Sequence, residues 1–384
     1  MSVEFQLGHN DHHKVEDWLA RDRDGAGAIS LHVKSLEHQA SVAHTARTSG
    51  LEVLVDPRTD RLAHEGFGLE SIPGYRESGV SLAELAADID ARALLVKSVL
   101  DVQREYATIV TPPYFFGDEK VARLNLALAE QAIQESDLPV RPIVPLKSRT
   151  SQAFLRELSD EYARAGITSI DLRFSPLGGE ADSIAKIRFV FAAADFFMSN
   201  GIDVTLGHSG NIGQVAFALG HVTGYSVGIG NLERVDLAGD YTRQATPPRL
   251  DENGKRISGG LWEGVYLPGL AITVSKKRAE ALLAHSDIRT KIGRCRIGGC
   301  ANSLMGPTSD HRTHYLHSRA AEMAFLQNTP EKWRAEAETK RLRRALELRQ
   351  LVNAEYRARG ELELKTRTLE SLVDGIAEHT RAAA

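Results

Sequence analysis

Short apolar runs in this chain repeatedly end in side chains that can do chemistry. Asp56, Arg58 and Asp60 follow the run 51–55, and the segment 111–116, Thr-Pro-Pro-Tyr-Phe-Phe, follows 107–110. Lys147 and Arg149 follow 140–146, and Arg173 and Ser175 end the run that starts at 167. His208, Ser209 and Asn211 follow 203–206, and Gly230, Asn231, Glu233 and Arg234 follow 225–229. A carboxylate directly after a strand is placed for general acid–base work, which nominates Asp56. An aspartate capping a turn before Pro57 is an equal reading. Asp171 alternates with apolar neighbours, so it either points inward as a second catalytic carboxylate or pairs with Arg173. Lys147, Arg149, Arg173 and Arg234 at one mouth suit an anionic ligand such as a phosphate or phosphodiester. Each alone reads as a surface ion-pair partner. Gly207-His208-Ser209-Gly210-Asn211 opens a helix whose first N–H groups suit an anion, or is simply a tight turn that needs glycine. Gly228-Ile229-Gly230 lacks the third glycine of a dinucleotide loop.

Cys295-Arg-Ile-Gly-Gly-Cys300, with His314 and His317 three residues apart, offers a possible zinc set. The competing reading is a pair of structural thiols. His311 is a further candidate ligand.

These residues need a scaffold that brings strand ends together. Residues 138–179 read strand, helix, strand: 140–146 is apolar and β-branched, 151–165 spaces Phe154, Leu155, Leu158 and Tyr162 along one helical face, and 167–174 is apolar again. Such a unit makes a parallel pair with a right-handed crossover. Similar units recur at 27–55, 81–110, 182–206, 212–229 and 265–285, about eight alternations in all. The pattern predicts an α/β fold, a (β/α)8 TIM-type barrel over 27–328. Residues 1–26 read as an N-terminal extension, 233–262 as a polar insertion after strand 7, and 329–384 as a charged helical C-terminal extension. Between 340 and 359 that helix carries Lys340, Arg341, Arg343, Arg344, Arg349, Arg357 and Arg359. It reads as a solvated face packed through Leu342, Leu346, Leu348 and Leu351, or as a phosphate-contacting ridge.

The 384 residues are 42% hydrophobic and 26% charged with a net charge of -4, which is ordinary for a globular protein with a large core. No apolar run approaches the roughly 20 residues of a membrane span, and the polar N-terminus has no signal-peptide core. Two cysteines exclude a disulfide framework, and a cytoplasmic setting is expected.

The order of these features resembles the tRNA-guanine transglycosylase superfamily, and more closely its DNA-modifying, 7-deazaguanine-inserting relatives. Leu54-Val55-Asp56 resembles the family strand ending in an aspartate that acts on the departing base. The 121–146 stretch, Phe154 through Tyr162, the Gly178-Gly179 turn, 207–226 and the Cys295–Arg319 region continue the likeness over roughly 28–328. The resemblance implies exchange of a base in DNA or tRNA, a zinc-binding region at Cys295 and Cys300, and a homodimer or partner subunit. Two departures stand out. The family nucleophile, an aspartate after the Tyr225 strand, is replaced by Ser226-Val227-Gly228, with Glu233 and Asp236 the nearest carboxylates. The zinc set lacks one cysteine, and no suitably placed histidine follows His317. Three functions follow as alternatives: a transglycosylase-like enzyme, a catalytically retired nucleic-acid-binding or assembly subunit, and a barrel enzyme for a small phosphorylated metabolite.

Overall fold

Alternating side chains along short strands sort the molecule into an apolar shell and a polar lumen. A computed structural model describes residues 2–21, 23–230, 233–247, 252, 263–292, 295, 300, 306–359 and 363–383. Seven parallel strands, β1 (Ser2–Gln6), β2 (Ala26–His32), β3 (Glu52–Asp56), β4 (Ile143–Lys147), β5 (Ser169–Ser175), β6 (Asp203–Leu206) and β7 (Gly224–Gly228), lie in the order β3-β2-β1-β7-β6-β5-β4. The open edges meet through a short eighth stave. The Thr108 amide donates to the Val53 carbonyl at 2.8 Å, and Val110 bridges Val140 in parallel, with Arg141 N donating to Val110 O at 2.9 Å. The sheet is thereby closed into an α/β barrel with no free edge.

Helices follow the strands: α1 (His12–Leu19), α2 (Leu36–Thr48), α3 (Leu82–Ala87), α4 (Ile89–Asp101), α5 (Glu119–Glu135), α6 (Gln152–Arg164), α7 (Ile184–Ser199), α8 (Gly210–Ala218) and α9 (Leu237–Ala245). Sequence-coded caps set their starts; Ser151 accepts from Phe154 N and Ser183 from Lys186 N. Gly166, at φ +77°, ends α6 while the amide of Ile167 reaches back to Tyr162 O. After the barrel come an antiparallel hairpin, β8 (Gly264–Leu267) and β9 (Ile272–Ser275), and then α10 (Lys276–Ala284), α11 (Ser286–Ile292), α12 (Gly306–Ser309), α13 (His311–Asn328), α14 (Glu331–Arg359) and α15 (Arg367–Ala383). A second apolar cluster joins Val265, Leu282 and Ile288 to Val352 and Tyr356 of α14. No helix among the described residues is long and apolar enough to cross a membrane.

Two expectations change. Residues 1–26, read as an extension, supply β1 and α1, so the barrel begins at Ser2; Val3 and Phe5 face outward and Phe5 meets Trp18 at 5.2 Å between ring centroids. The strand expected at 265–274 is instead the separate hairpin. The reasons are opposite: β1 has only two outward apolar residues, whereas the hairpin is apolar enough to imitate a barrel strand. The polar insertion also contains a helix, α9. In α14, Leu342 is buried but Leu351 is 49% exposed, so the packed face is narrower than expected.

Candidate active site at the barrel mouth

Period-two alternation turns Glu4, Gln6, Asp171, Arg173 and Ser226 inward, while their neighbours Phe5, Leu172 and Val227 join the apolar shell. The lumen is thus polar where stacked aliphatic layers are the usual filling. Near its base Arg141 pairs with Glu4. Above them Arg173, 3% exposed, grips two carboxylates: Nη1 donates to Asp56 Oδ2 at 2.8 Å, and Nε and Nη2 donate to Asp171 Oδ2 at 3.0 and 2.7 Å. Tyr114 Oη and the amide of Arg58 donate to Asp56 Oδ1 at 2.9 and 3.1 Å.

The prolines of 111–116 remove backbone donors, so side chains hold that segment. Gln103 exchanges two hydrogen bonds with the backbone of Thr111, and Asn125 does the same with Phe115. Thr59 Oγ1 likewise donates to the Tyr114 carbonyl and accepts its amide, which fixes the phenol over Asp56. Arg58, at φ +51°, turns to Asp60 and Asp240, and Tyr241 of α9 donates to Asp60 at 3.2 Å. The start of the expected insertion therefore roofs the mouth.

Electrostatics redistribute the roles the sequence suggested. Burial pushes Asp56 up, but the guanidinium groups of Arg173 and Arg58, with the Arg173 and Tyr114 hydrogen bonds, more than offset it and hold its carboxyl well below the usual range. Asp56 is an anion with its lone pairs engaged, poorly suited to act as a general base. Burial, then the charge of Asp56, pushes Tyr114 well up, so the phenol keeps its proton and donates. His208 behaves differently: burial and then Arg173 pull it down to about 4, leaving a neutral imidazole at neutral pH. Its backbone, at φ +49°, is tied by the amide to Ser226 Oγ at 2.9 Å, and Nδ1 is buried without a hydrogen-bond partner. Asp171 Oδ1 is also buried without a partner. Gly207, next in sequence to His208, passes so close to this group that no side chain fits: a Cβ there would strike Asp171 Oδ1 and lie 2.6 Å from Arg173 Cγ. Burial, then Arg58, lowers His32 at the end of β2 to about 4 as well.

The four expected cations do not form one cluster. Arg173 is consumed by its carboxylates. Lys147 and Arg149 are exposed and line a rim cavity of about 480 Å³ with Lys120, Ser151 and Phe154. Arg234 lines a different cavity, of about 510 Å³, with Ser209 and Asn211. Ser209 Oγ donates to Leu206 O, and the Asn211 side chain is shared among Glu180, Ala271 O and Arg319. Gly230, at φ +71°, packs against the Gly264 carbonyl and His311, and Asn231 lies outside the described residues. Of the carboxylates near the missing nucleophile, Glu233 pairs with Arg319 and accepts from Tyr315 Oη at 2.6 Å, while Asp236 caps α9. Gln6, His32 and Tyr241 belong to the mouth without being singled out in the sequence, which marks Tyr114 only as a member of 111–116 and Ser226 only as the residue at the nucleophile position. The inward positions of β1 and β7 carried the signal, in polar residues alternating with apolar ones.

The ligand set suggested by Cys295, Cys300, His314 and His317 does assemble. One side-chain atom from each lies within 4.8 Å of all the others, with Cys295 Sγ 3.1 Å from His317 Nε2 and Cys300 Sγ 3.7 Å from His314 Nδ1. His314 Nε2 faces the Tyr266 carbonyl at 2.8 Å, which leaves Nδ1 for a metal. One turn of α13 supplies both histidines.

No family model matches the chain, and no curated protein does. Among solved structures it is similar to 3-dehydroquinate dehydratase from Aquifex aeolicus VF5, at 11% identity and TM-score 0.34 over 64% of this chain and 97% of that one. It is similar also to phospho-2-dehydro-3-deoxyheptonate aldolase from Thermotoga maritima, at 13% identity and TM-score 0.34 over 64% and 67%, and to morphinone reductase, at 10% and 0.37 over 66% and 88%. Likenesses this distant carry no weight for function, and the barrel rests on its own strand order.

Proposed function

We propose that this barrel is an enzyme for a nucleobase or nucleoside held at the strand ends, with neutral His208 as the acid–base group and Asp171 as the acceptor that orients the ligand. One observation carries the reading: His208 Nδ1 and Asp171 Oδ1 are buried without hydrogen-bond partners at the polar mouth, as is Nη2 of Arg58, which faces Asp240 at 3.8 Å. Unpaired buried polar atoms are costly and concentrate where a ligand completes them. A carboxylate oxygen wants an N–H donor, and an imidazole exchanges a proton, so a guanine-like edge answers both. Calorimetric titration of guanosine tests it. Wild type should bind, and His208→Asn, which keeps the left-handed backbone favourable, should weaken binding roughly tenfold or more. Absence of guanosine binding at millimolar concentration in wild type would overturn the reading.

Base exchange on DNA or tRNA, as in the transglycosylases the sequence resembles, is the second reading. The cysteine–histidine cluster in the region where that family carries zinc favours it. Ser226 at the nucleophile position argues for chemistry without a covalent aspartyl intermediate. Asp56→Asn should abolish incorporation of labelled guanine while the fold survives, and unchanged turnover would remove Asp56 from the mechanism.

The cluster itself is proposed to hold one zinc ion. Tetrahedral zinc with sulfur and nitrogen ligands spaces neighbouring donor atoms by about 3.5 Å, close to the separations here. Four protein ligands close the coordination sphere, which assigns the ion a structural role joining the segment around Cys295 and Cys300 to α13. Elemental analysis should find about one zinc per chain, lost in Cys300→Ser. A metal-free protein with two titratable thiols would refute it.

A further inference from the structure

We infer that the cavity of about 510 Å³ beside the mouth is a subsite for a phosphoryl group, so that the ligand is a nucleotide with its base at His208. This rests on the nucleoside reading above. Gly178, Gly179 and Glu180 after β5 form one wall, Ser209 and Asn211 at the start of α8 a second, and Ile272, Thr273 and Lys365 a third. Ser209, which lines the cavity, is next in sequence to His208, and both are tied to Ser226: the Ser209 amide donates to its carbonyl at 3.1 Å and the His208 amide to its Oγ at 2.9 Å.

Three features point to a multiply charged oxyanion. First, backbone donors from two elements are left over. Gly179 and Asn211, which line the cavity, and Gly210 between Ser209 and Asn211 are buried residues whose amides find no acceptor among the described residues. Buried amides are almost always paired, and unpaired ones in a cavity wall call for an acceptor there. Second, the acidic residues of the wall are already neutralised. Glu180 accepts from Arg349 at 2.7 Å and from Asn211, and Glu233 is held by Arg319 and Tyr315. Third, the cations of the wall are not: Arg234 and Lys365 make no side-chain ion pair among the described residues. Arg349, fully buried, fixes this arrangement by also donating to the carbonyls of Leu270, Ala271 and Lys365. Both glycine turns crowd Glu233; a Cβ on Gly210, at φ +52°, would lie 2.8 Å from its carboxyl carbon. The turns therefore keep their amides bare and close to the chain. Counted around the ring, α8 follows the seventh stave and β7 is the eighth, where barrels often seat phosphates.

Titration of guanosine 5′-monophosphate, guanosine and inorganic phosphate against wild type and Arg234→Gln/Lys365→Gln tests the assignment. Both substituted residues are at the surface, so the variant should fold. Wild type should bind the monophosphate roughly tenfold more tightly than the nucleoside. The double variant should lose that advantage while its guanosine affinity stays within about twofold. Equal affinity for nucleoside and monophosphate in wild type, with guanosine bound normally, would overturn the subsite and leave the nucleoside reading standing. Phosphate binding that the double variant loses, without guanosine binding in either protein, would uphold the subsite and sink the nucleoside reading.

Discussion

Replacing Arg173 by methionine isolates the interaction on which the mouth is built. The side chain is almost wholly buried and makes three hydrogen bonds to two carboxylates. Methionine is of similar length, so the cavity contribution is small, and the main cost is two carboxylates left without their cation. Removing one partner from a buried ion pair costs about 3–5 kcal/mol, and the double liaison puts this variant near the top of that range. The pH dependence discriminates further. In wild type the folded-state pKa of Asp56 is depressed, so its contribution is present above the unfolded value near 4 and disappears as pH falls through the folded value. Without Arg173, burial dominates and raises the folded value, so acid relieves the variant by about 1.4 kcal/mol per pH unit below it. Arg173 also helps to depress His208, and its loss eases protonation there too. Urea unfolding at pH 8 and pH 5 should therefore show a deficit of about 4 kcal/mol that narrows at the lower pH. A deficit below about 1 kcal/mol at pH 8, or one unchanged at pH 5, would refute the assignment of Arg173 as the central counter-ion.

Other perturbations follow from the same geometry. Folded His208 and His32 are both lowered to about 4, so wild type should lose stability as pH falls from 6.5 towards 4, by on the order of 3 kcal/mol for each. His208→Asn should flatten that acid limb in urea titrations, and an unchanged limb would show that His208 is not held neutral. In α14, Arg341 donates to Glu338 at 2.6 Å, so Arg341→Glu should cost about 3–5 kcal/mol. Arg343→Glu and Arg344→Glu, at exposed positions, should change stability by no more than about 0.5 kcal/mol. Weaker, less salt-dependent DNA binding in the Arg343/Arg344 variants would support a phosphate-contacting ridge; no change would leave a solvated face. Gly207→Ala should both destabilise the fold and abolish ligand binding, because its methyl would collide with Asp171 and Arg173; an unaffected thermal midpoint would mean that this close approach is not needed.

How much of this was legible in the sequence depends on which physical signal each residue left. The outer shell was legible because helix spacing and β-branched runs report burial against one neighbour at a time: 151–165 became α6, and the 203–211 strand and turn became β6 and the start of α8. β1 was not, since a strand whose inward residues are glutamate and glutamine does not read as a buried run until its partners in the lumen are known. The cluster at Cys295 was legible in its members but not in its closure, which depends on α13 presenting His314 and His317 together. Pairing was the least legible property. Arg173 and Arg234 look alike in sequence, yet one is saturated by Asp56 and Asp171 and the other faces a cavity, because strand alternation turns the first into the lumen and a loop carries the second beyond it.

That division of charge decides what the mouth can hold. The lumen contains three carboxylates, Glu4, Asp171 and Asp56, against two guanidinium groups, Arg141 and Arg173, with Arg58 occupied by Asp60 and Asp240. In low dielectric an excess negative charge repels a phosphate strongly and welcomes N–H donors. Beyond Ser209 the balance reverses, with neutralised acids, bare amides and two uncompensated cations. A ligand carrying donors at one end and an anion at the other is matched to the pair of compartments, and turned end for end it is repelled at both. A free phosphate or sulfate should accordingly settle in the side cavity and leave the lumen empty. Density for such an ion on Arg173 rather than beside Arg234 would mean that the buried carboxylates are protonated, and would invert the polarity assigned to the whole site.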